Sequence, residues 1–371
     1  MNSATARLRS FSGTVLLPLA TARVLWLGVF IAFVLVEAPG AALLPAMRGA
    51  LVHWDAIAYL DIARSGYPDH LSYLDAFLPG YPLLVGGATL LARDPVLAGW
   101  LVNLAAEGVA LWYVARLVRL ERDRSAAHFA VWVLALAPTA IFLTATFTES
   151  PFIAAAAASL YYARAGRPNA AAAAAAMATA FRLTGLALLP ALALEQLSRD
   201  RWRPTARLLW LAVIPLPLVA YCAYMQVHAG DALAIFHAER LPSFGQALAT
   251  PWDGFGATWQ TMTSATDGEV RSVFAREIAF GLLGLAACAG MWASSRIPRF
   301  LALYCSIAWL MTASLSFWRS EPRYILALFP AVLLAADVTA RFRHVRGGLL
   351  VASGVLMCAA TWVYAQGRWL G

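Results

Sequence analysis

The chain reads as an all-α bundle of about eleven membrane-crossing helices, with two long amphipathic loops on one side. Three observations predict this. Of 371 residues, 61% are hydrophobic and only 13% are charged, whereas a soluble domain sits near ~45–50% and ~25%. Apolar runs approaching the ~20 residues that cross hydrocarbon recur along the whole length. The 28 basic residues are all arginine, and most fall in clusters between alternate runs, as the positive-inside bias requires. A soluble single-domain protein is excluded. The net charge of +8 follows from membrane orientation and needs no nucleic-acid partner.

The expected spans follow in order. The run 14–36 comes after Arg7 and Arg9 and is expected to be an uncleaved first span rather than a signal peptide, because many further spans follow. The stretch 81–92 is too short to cross alone and is expected to be a half-helix or re-entrant piece. Run 95–118 is a full span. The pairs 127–147 with 149–164, and 169–181 with 184–198, predict helical hairpins or broken helices. Such breaks persist only where protein or a water-filled cavity satisfies the freed backbone. The unbroken alanine run Ala170–Ala176 is helix-prone and small enough for close helix packing. Runs 205–228, 274–294, 299–318, 323–340 and 347–365 complete the bundle, which is expected to be one domain over 1–371. Cys222, Cys288, Cys305 and Cys358 each lie within apolar runs and read as small buried hydrophobes.

Orientation follows from arginine. Arg7 and Arg9, then Arg116, Arg119, Arg122 and Arg124, then Arg164 and Arg167, then Arg199, Arg201, Arg203 and Arg207, then Arg296 and Arg299, then Arg341, Arg343 and Arg346 occupy alternate loops. One alternation puts all of them inside, predicting a multi-pass protein of the plasma (inner) membrane with a cytoplasmic N-terminus. The outer face then receives loops 37–80 and 229–272. The first carries Glu37, Asp55, Asp61, Asp69 and Asp75. The second carries Asp231, Asp253, Asp267 and Glu269, with Phe236, Phe244, Trp252, Phe255 and Trp259. Their alternation of apolar and polar residues suits segments lying on the membrane surface.

Several ionisable residues lie where hydrocarbon is expected. In the helix predicted over 55–65, Asp61 and Arg64 are spaced to pair. That leaves Asp55 as an unpaired carboxylate on the side of Tyr59 and Ile62. It either caps the helix start or carries chemistry. Arg182 interrupts two short apolar segments. It is either a functional charge at membrane depth or a snorkelling turn residue. Glu149, in Phe147-Thr148-Glu149-Ser150-Pro151, either caps the helix that follows, the simpler reading, or pairs with Arg182. Arg319 and Arg323 break the positive-inside pattern at an outer boundary. They suit an anionic ligand, since arginine forks onto phosphate oxygens, or else form a surface cluster with Glu321. Asp69, His70 and Asp75 match no dedicated metal spacing. No metal site or cofactor is expected, although a divalent cation stays open. No phosphate-binding glycine loop is present.

Trp54-Asp55, Ile62-Ala63, Gly66-Tyr67 and then Phe77-Leu78-Pro79-Gly80-Tyr81-Pro82 resemble the first luminal loop of PIG-V-type mannosyltransferases. Phe147-Thr148-Glu149-Ser150, Ala180-Phe181-Arg182 and Arg323-Tyr324-Ile325-Leu326 resemble further segments of that family in the same order. The likeness covers about 54 to 330. Phe-Leu-Pro stands here where the family usually has Phe-Phe-Pro. The chain looks like a bacterial relative, so the eukaryotic acceptor does not carry over. The resemblance implies the fold of GT-C glycosyltransferases and a polyprenyl-phosphate sugar donor, with mannose as the sugar. It further implies a lipid, glycan or protein acceptor and contact with membrane lipids.

It also implies that Asp55 is the catalytic acid of the first outer loop. Arg182, Arg319 or Arg323 would then hold the donor phosphate, with Trp54, Tyr59, Glu149 and Tyr324 in support. A sugar already joined to phosphate has a good leaving group, so one carboxylate acting as general base suffices. The rival reading is a transporter or flippase for a lipid-linked or anionic substrate, since broken helices with buried charge also suit transport.

Overall fold

The computed structural model describes residues 12–340 and 342–370. Arg7, Arg9 and Arg341 lie outside the described residues. The molecule is helical almost throughout: α1 (Leu17–Glu37), α2 (Leu43–Leu51), α3 (Asp55–Ser65), α4 (Gly80–Ala92), α5 (Pro95–Glu121), α6 (Arg124–Ala135), α7 (Glu149–Arg164), α8 (Pro168–Phe181) and α9 (Leu188–Arg199). They are followed by α10 (Leu216–His228), α11 (Ala234–Glu239), α12 (Pro251–Ser264), α13 (Gly268–Ala293), α14 (Arg299–Ala313), α15 (Val332–Val338) and α16 (Arg343–Ala365).

Among the described residues, five helical stretches are long and apolar enough to cross a bilayer alone: Gly13–Glu37, Pro95–Glu121, Ala206–His228, Gly268–Ala293 and His344–Ala365. Their outer faces stay bare, with Val24, Val227 and Val351 all exposed. Apolar surface of that extent requires lipid as its solvent, and the protein is a multi-pass membrane protein. The other predicted crossings are shorter or interrupted. The run 127–147 is helical only to Ala135, and Pro138 then denies the helix a backbone donor. Residues 139–148 continue as irregular, fully buried backbone around one turn, Ile141–Thr144. Asn103 of α5 satisfies the freed carbonyls, donating to Phe147 O at 3.0 Å and also to Ala145 O. The Ser150 hydroxyl donates to Leu143 O at 2.6 Å.

Helix α7 is the central post and is buried from Glu149 through Leu160. It packs between α5 and the alanine-rich α8, whose small side chains permit the close approach. Glu149 begins α7 and Arg164 ends it, about 22 Å apart at 1.5 Å per residue. At the Arg164 end the arginine loops converge. Arg164 pairs with Glu121 and, at 3.3 Å, with Glu195. Arg122 grips Asp337 at 2.7 Å and donates to Arg296 O at 3.1 Å, while Arg346 reaches Ser125 at 3.3 Å.

The α8–α9 corner is as tight as backbone allows. A Cβ at Gly185 would lie 2.4 Å from the Thr179 nitrogen, whereas one at Gly87 would meet nothing within 4 Å. Gly185→Ala is therefore expected to cost ~1–3 kcal/mol by overpacking, and Gly87→Ala to be neutral or slightly stabilising. Thermal unfolding of the detergent-solubilised pair checks this, since equal midpoints would refute the contact.

Candidate active site

At the Glu149 end of the bundle, four chain segments bring charge together. Asp55 is the first residue of α3. Glu149 is the first residue of α7, and Arg182 immediately follows α8. Arg323 lies in the turn Glu321–Tyr324. Arg323 Nη1 pairs with Asp55 Oδ2, and its Nε lies 3.2 Å from Glu149 Oε1. Arg182 Nη1 pairs with the same Glu149 oxygen and donates to Thr148 Oγ1 at 3.1 Å. The Tyr59 hydroxyl lies 3.5 Å from that Thr148 oxygen. With Arg323 only 8% exposed and Glu149 4%, this is a buried alternating chain of acid and base. Either charge alone would be costly there, so the network holds together as a unit.

Four of the readings left open by the sequence are overturned. Asp55 is not unpaired, and it does not cap. Trp54 occupies the cap position without a side-chain bond, at φ 50° and ψ −120°, a backbone conformation that costs a side-chain-bearing residue ~1–3 kcal/mol. Packing holds Trp54 there, with its ring edge-on to Tyr364 and Trp369, centroids 5.2 Å away in each case. Glu149 likewise makes no capping bond, because both arginines claim its carboxylate. The cluster Arg319–Glu321–Arg323 does not form. Glu321 is buried, with its N–H donated to Glu277 Oε2 at 2.7 Å, and the two arginines go separate ways. Arg182 is no snorkelling residue, being 13% exposed against Glu149. Asp61 and Arg64 do pair, at 3.8 Å on the exposed side of α3.

Beside the network is a cavity of about 800 Å³, walled in part by Asp55, Tyr59, Arg182, Arg319, Arg323 and Tyr324. Glu149 does not reach the wall; it anchors two arginines that do. Tyr324 lies under both of them, 5.1 Å from the Arg182 guanidinium and 5.2 Å from that of Arg323. The Tyr59 hydroxyl is pushed well above its ordinary range, by burial first and the charge of Asp55 second, so it stays a neutral hydrogen-bonding group.

Arg319 differs from the other two arginines. Among the described residues it forms no ion pair. It donates to the carbonyls of Phe244 at 3.3 Å and Ser243 at 3.5 Å, and its guanidinium lies 4.9 Å from the Trp369 ring centroid. Carbonyl dipoles and a ring face orient this cation without neutralising it, which leaves it able to take an anion.

Of the second-loop aromatics, Phe236 and Phe244 line the cavity. Phe255 packs on Trp318 at 5.5 Å, and Trp252 and Trp259 face outward. Asp69 pairs with the neighbouring His70, and Asp75 closes a capping box with Ser72. Among the described residues no three His, Cys, Asp or Glu side chains gather as metal ligands.

Two cavity residues escape a reading of the sequence. Glu239 ends α11 on the wall. Its signal was available, as a carboxylate closing the apolar turn Ala234–Phe236 in the loop 229–272. Trp369 also lines the cavity, with its indole N–H donated to Glu277 at 3.2 Å and its carbonyl accepting from Arg276 at 2.9 Å. Nothing in its local sequence marks it.

No family model and no curated protein matches the chain. Solved structures do. It is similar to ArnT from Cupriavidus metallidurans bound to undecaprenyl phosphate, with a TM-score of 0.56 and 18% identity, over 94% of this chain and 64% of that one. The fold is of the GT-C type. The chain thus spans just under two thirds of the ArnT structure. A further likeness is to the apo oligosaccharyltransferase of Archaeoglobus fulgidus, with a TM-score of 0.47 and 12% identity, over 96% of this chain and 56% of that one.

Proposed function

We propose that the protein is a membrane glycosyltransferase. It moves a sugar from a polyprenyl-phosphate donor to an acceptor hydroxyl on the outer face, with inversion at the anomeric carbon. One observation carries this: a carboxylate, Asp55, shares a cavity wall with an arginine, Arg319, that pairs with no carboxylate among the described residues. A transferase acting on a sugar phosphate needs that combination, a base for the incoming hydroxyl and a cation for the outgoing phosphate. The GT-C fold and the undecaprenyl phosphate in the ArnT structure support the lipid donor. Mannose rests on the sequence likeness to PIG-V-type enzymes, and an inner-membrane location with a cytoplasmic N-terminus rests on the arginine pattern.

The chemistry balances on these residues. The acceptor O–H gives its proton to Asp55 as its oxygen bonds to the anomeric carbon. The bond from that carbon to the phosphate oxygen breaks. The phosphodiester, singly charged, leaves as a polyprenyl phosphate monoester with one more negative charge. Arg319 meets that charge, with Arg182 and Arg323 beside it. As charge develops on the phosphate it competes with Asp55 for Arg323, which frees the carboxylate when it is needed.

The deciding experiment is sugar transfer in proteoliposomes supplied with radiolabelled polyprenyl-phosphate mannose and a bacterial lipid and protein extract as acceptor. Label moving from donor to acceptor supports the reading. Label that only crosses the bilayer, still on its lipid, would support the flippase instead. Arg319→Ala is expected to raise the donor KM by about 10- to 100-fold, the worth of one charge-assisted contact, while leaving the thermal midpoint unchanged. An unaltered KM would remove Arg319 from the phosphate site.

A further inference from the structure

Glu239 has no part in the mechanism above, yet it stands on the same wall. Its backbone is fixed, because its carbonyl accepts from the Gln246 N–H at 2.8 Å. Its carboxyl makes no hydrogen bond or ion pair among the described residues. His237, two residues back on α11, is already taken by Asp231 at 2.6 Å, and the neighbouring Arg240 is exposed. A half-buried carboxyl without a partner, facing a largely apolar cavity, is a group waiting for a ligand.

The position says which part of the ligand. In an inverting displacement the anomeric carbon lies between the incoming hydroxyl oxygen and the departing phosphate oxygen. On the reading above, the hydroxyl belongs at Asp55 and the phosphate at Arg319 and Arg323. The carboxyl of Glu239 is an electrostatic neighbour of all three. A sugar ring held between those poles therefore lies against Glu239. Phe236 and Phe244 beside it on the wall offer apolar surface to the C–H face of such a ring.

We propose that Glu239 recognises the transferred sugar through its ring hydroxyls and so sets which sugar the enzyme takes. This rests on the transferase reading. Burial first, and the charge of Asp55 second, push the carboxyl up to about 7. Protonated and ionised forms then coexist at neutral pH, and the group both donates and accepts, as a hydroxyl pair asks.

The test separates sugar from lipid. Binding of three ligands is measured by intrinsic tryptophan fluorescence in nanodiscs: polyprenyl-phosphate mannose, polyprenyl-phosphate glucose and bare polyprenyl phosphate. The proteins are the wild type, Glu239→Ala and Glu239→Gln. Glu239→Ala is expected to weaken the preferred sugar-bearing lipid about tenfold, one hydrogen bond's worth, and to reduce the discrimination between the two sugars. Bare polyprenyl phosphate should bind as before, which also reports an intact fold. Glu239→Gln should retain part of the affinity. Equal losses for sugared and bare lipid would place Glu239 at the phosphate and overturn the proposal, as would no loss for either. A wild type that binds none of the three lipids would overturn the transferase reading itself, and this inference with it.

Discussion

Asp55→Asn is expected to lower sugar transfer by about 10²–10⁴-fold, the usual contribution of a positioned general base, while leaving donor affinity within a few-fold of the wild type. The amide keeps the shape of the carboxylate and a carbonyl oxygen for Arg323, but it has no basic lone pair for the acceptor proton. Loss of the ion pair complicates the variant in a measurable way. Arg323 keeps Glu149 at 3.2 Å, so the cation is not stranded and the fold should survive. The experiment is single-turnover transfer with bound polyprenyl-phosphate mannose, beside an equilibrium measurement of donor binding. A variant that binds donor and turns over like the wild type would dismiss Asp55 as the base.

Arg323→Ala is expected to be the most damaging single change for stability. Arg323 stands between two carboxylates, Asp55 and Glu149, and is 8% exposed. Removing it leaves Asp55 without an ion-pair partner and Glu149 with Arg182 alone. Breaking buried pairs of this kind costs ~3–5 kcal/mol because the surviving charge stays in low dielectric. The expected result is a large drop in the detergent thermal midpoint and in monodisperse yield. The charge argument makes a second demand: adding Asp55→Asn to Arg323→Ala should recover part of the loss, since the stranded charge is then gone while Glu149 keeps Arg182. If the double variant is worse by the sum of two independent losses, the residues do not act as a network.

How far the sequence carried this picture differs by residue, for physical reasons. Asp55, Glu149, Arg182 and Arg323 stood out because a charge in hydrocarbon-bound sequence needs an explanation. Their convergence was not readable, since Asp55 and Arg323 are 268 positions apart and only packing joins them. Local rules misled in two places. Acids at helix starts suggest caps, yet both Asp55 and Glu149 are spent on arginines. Glu239 was lost among the ordinary charges of the loop 229–272, where a carboxylate is unremarked until a cavity is seen beside it. The pair 127–147 and 149–164 reads as a hairpin or broken helices, but the sequence does not place the break at 139–148, because hydropathy does not register backbone conformation. The partner that makes the break tolerable, Asn103, lies in a different helix.

That partner also bears on how the chain is made. Residues 139–148 enter a bilayer as open backbone, which hydrocarbon rejects unless each carbonyl finds a donor. Asn103 precedes them by some forty residues, on a helix long enough to insert alone. Synthesis from the amino end therefore sets the clamp in the membrane before the segment that needs it emerges. A permuted chain that delivered α7 before α5 would leave the same contacts on paper and an orphaned segment at the translocon.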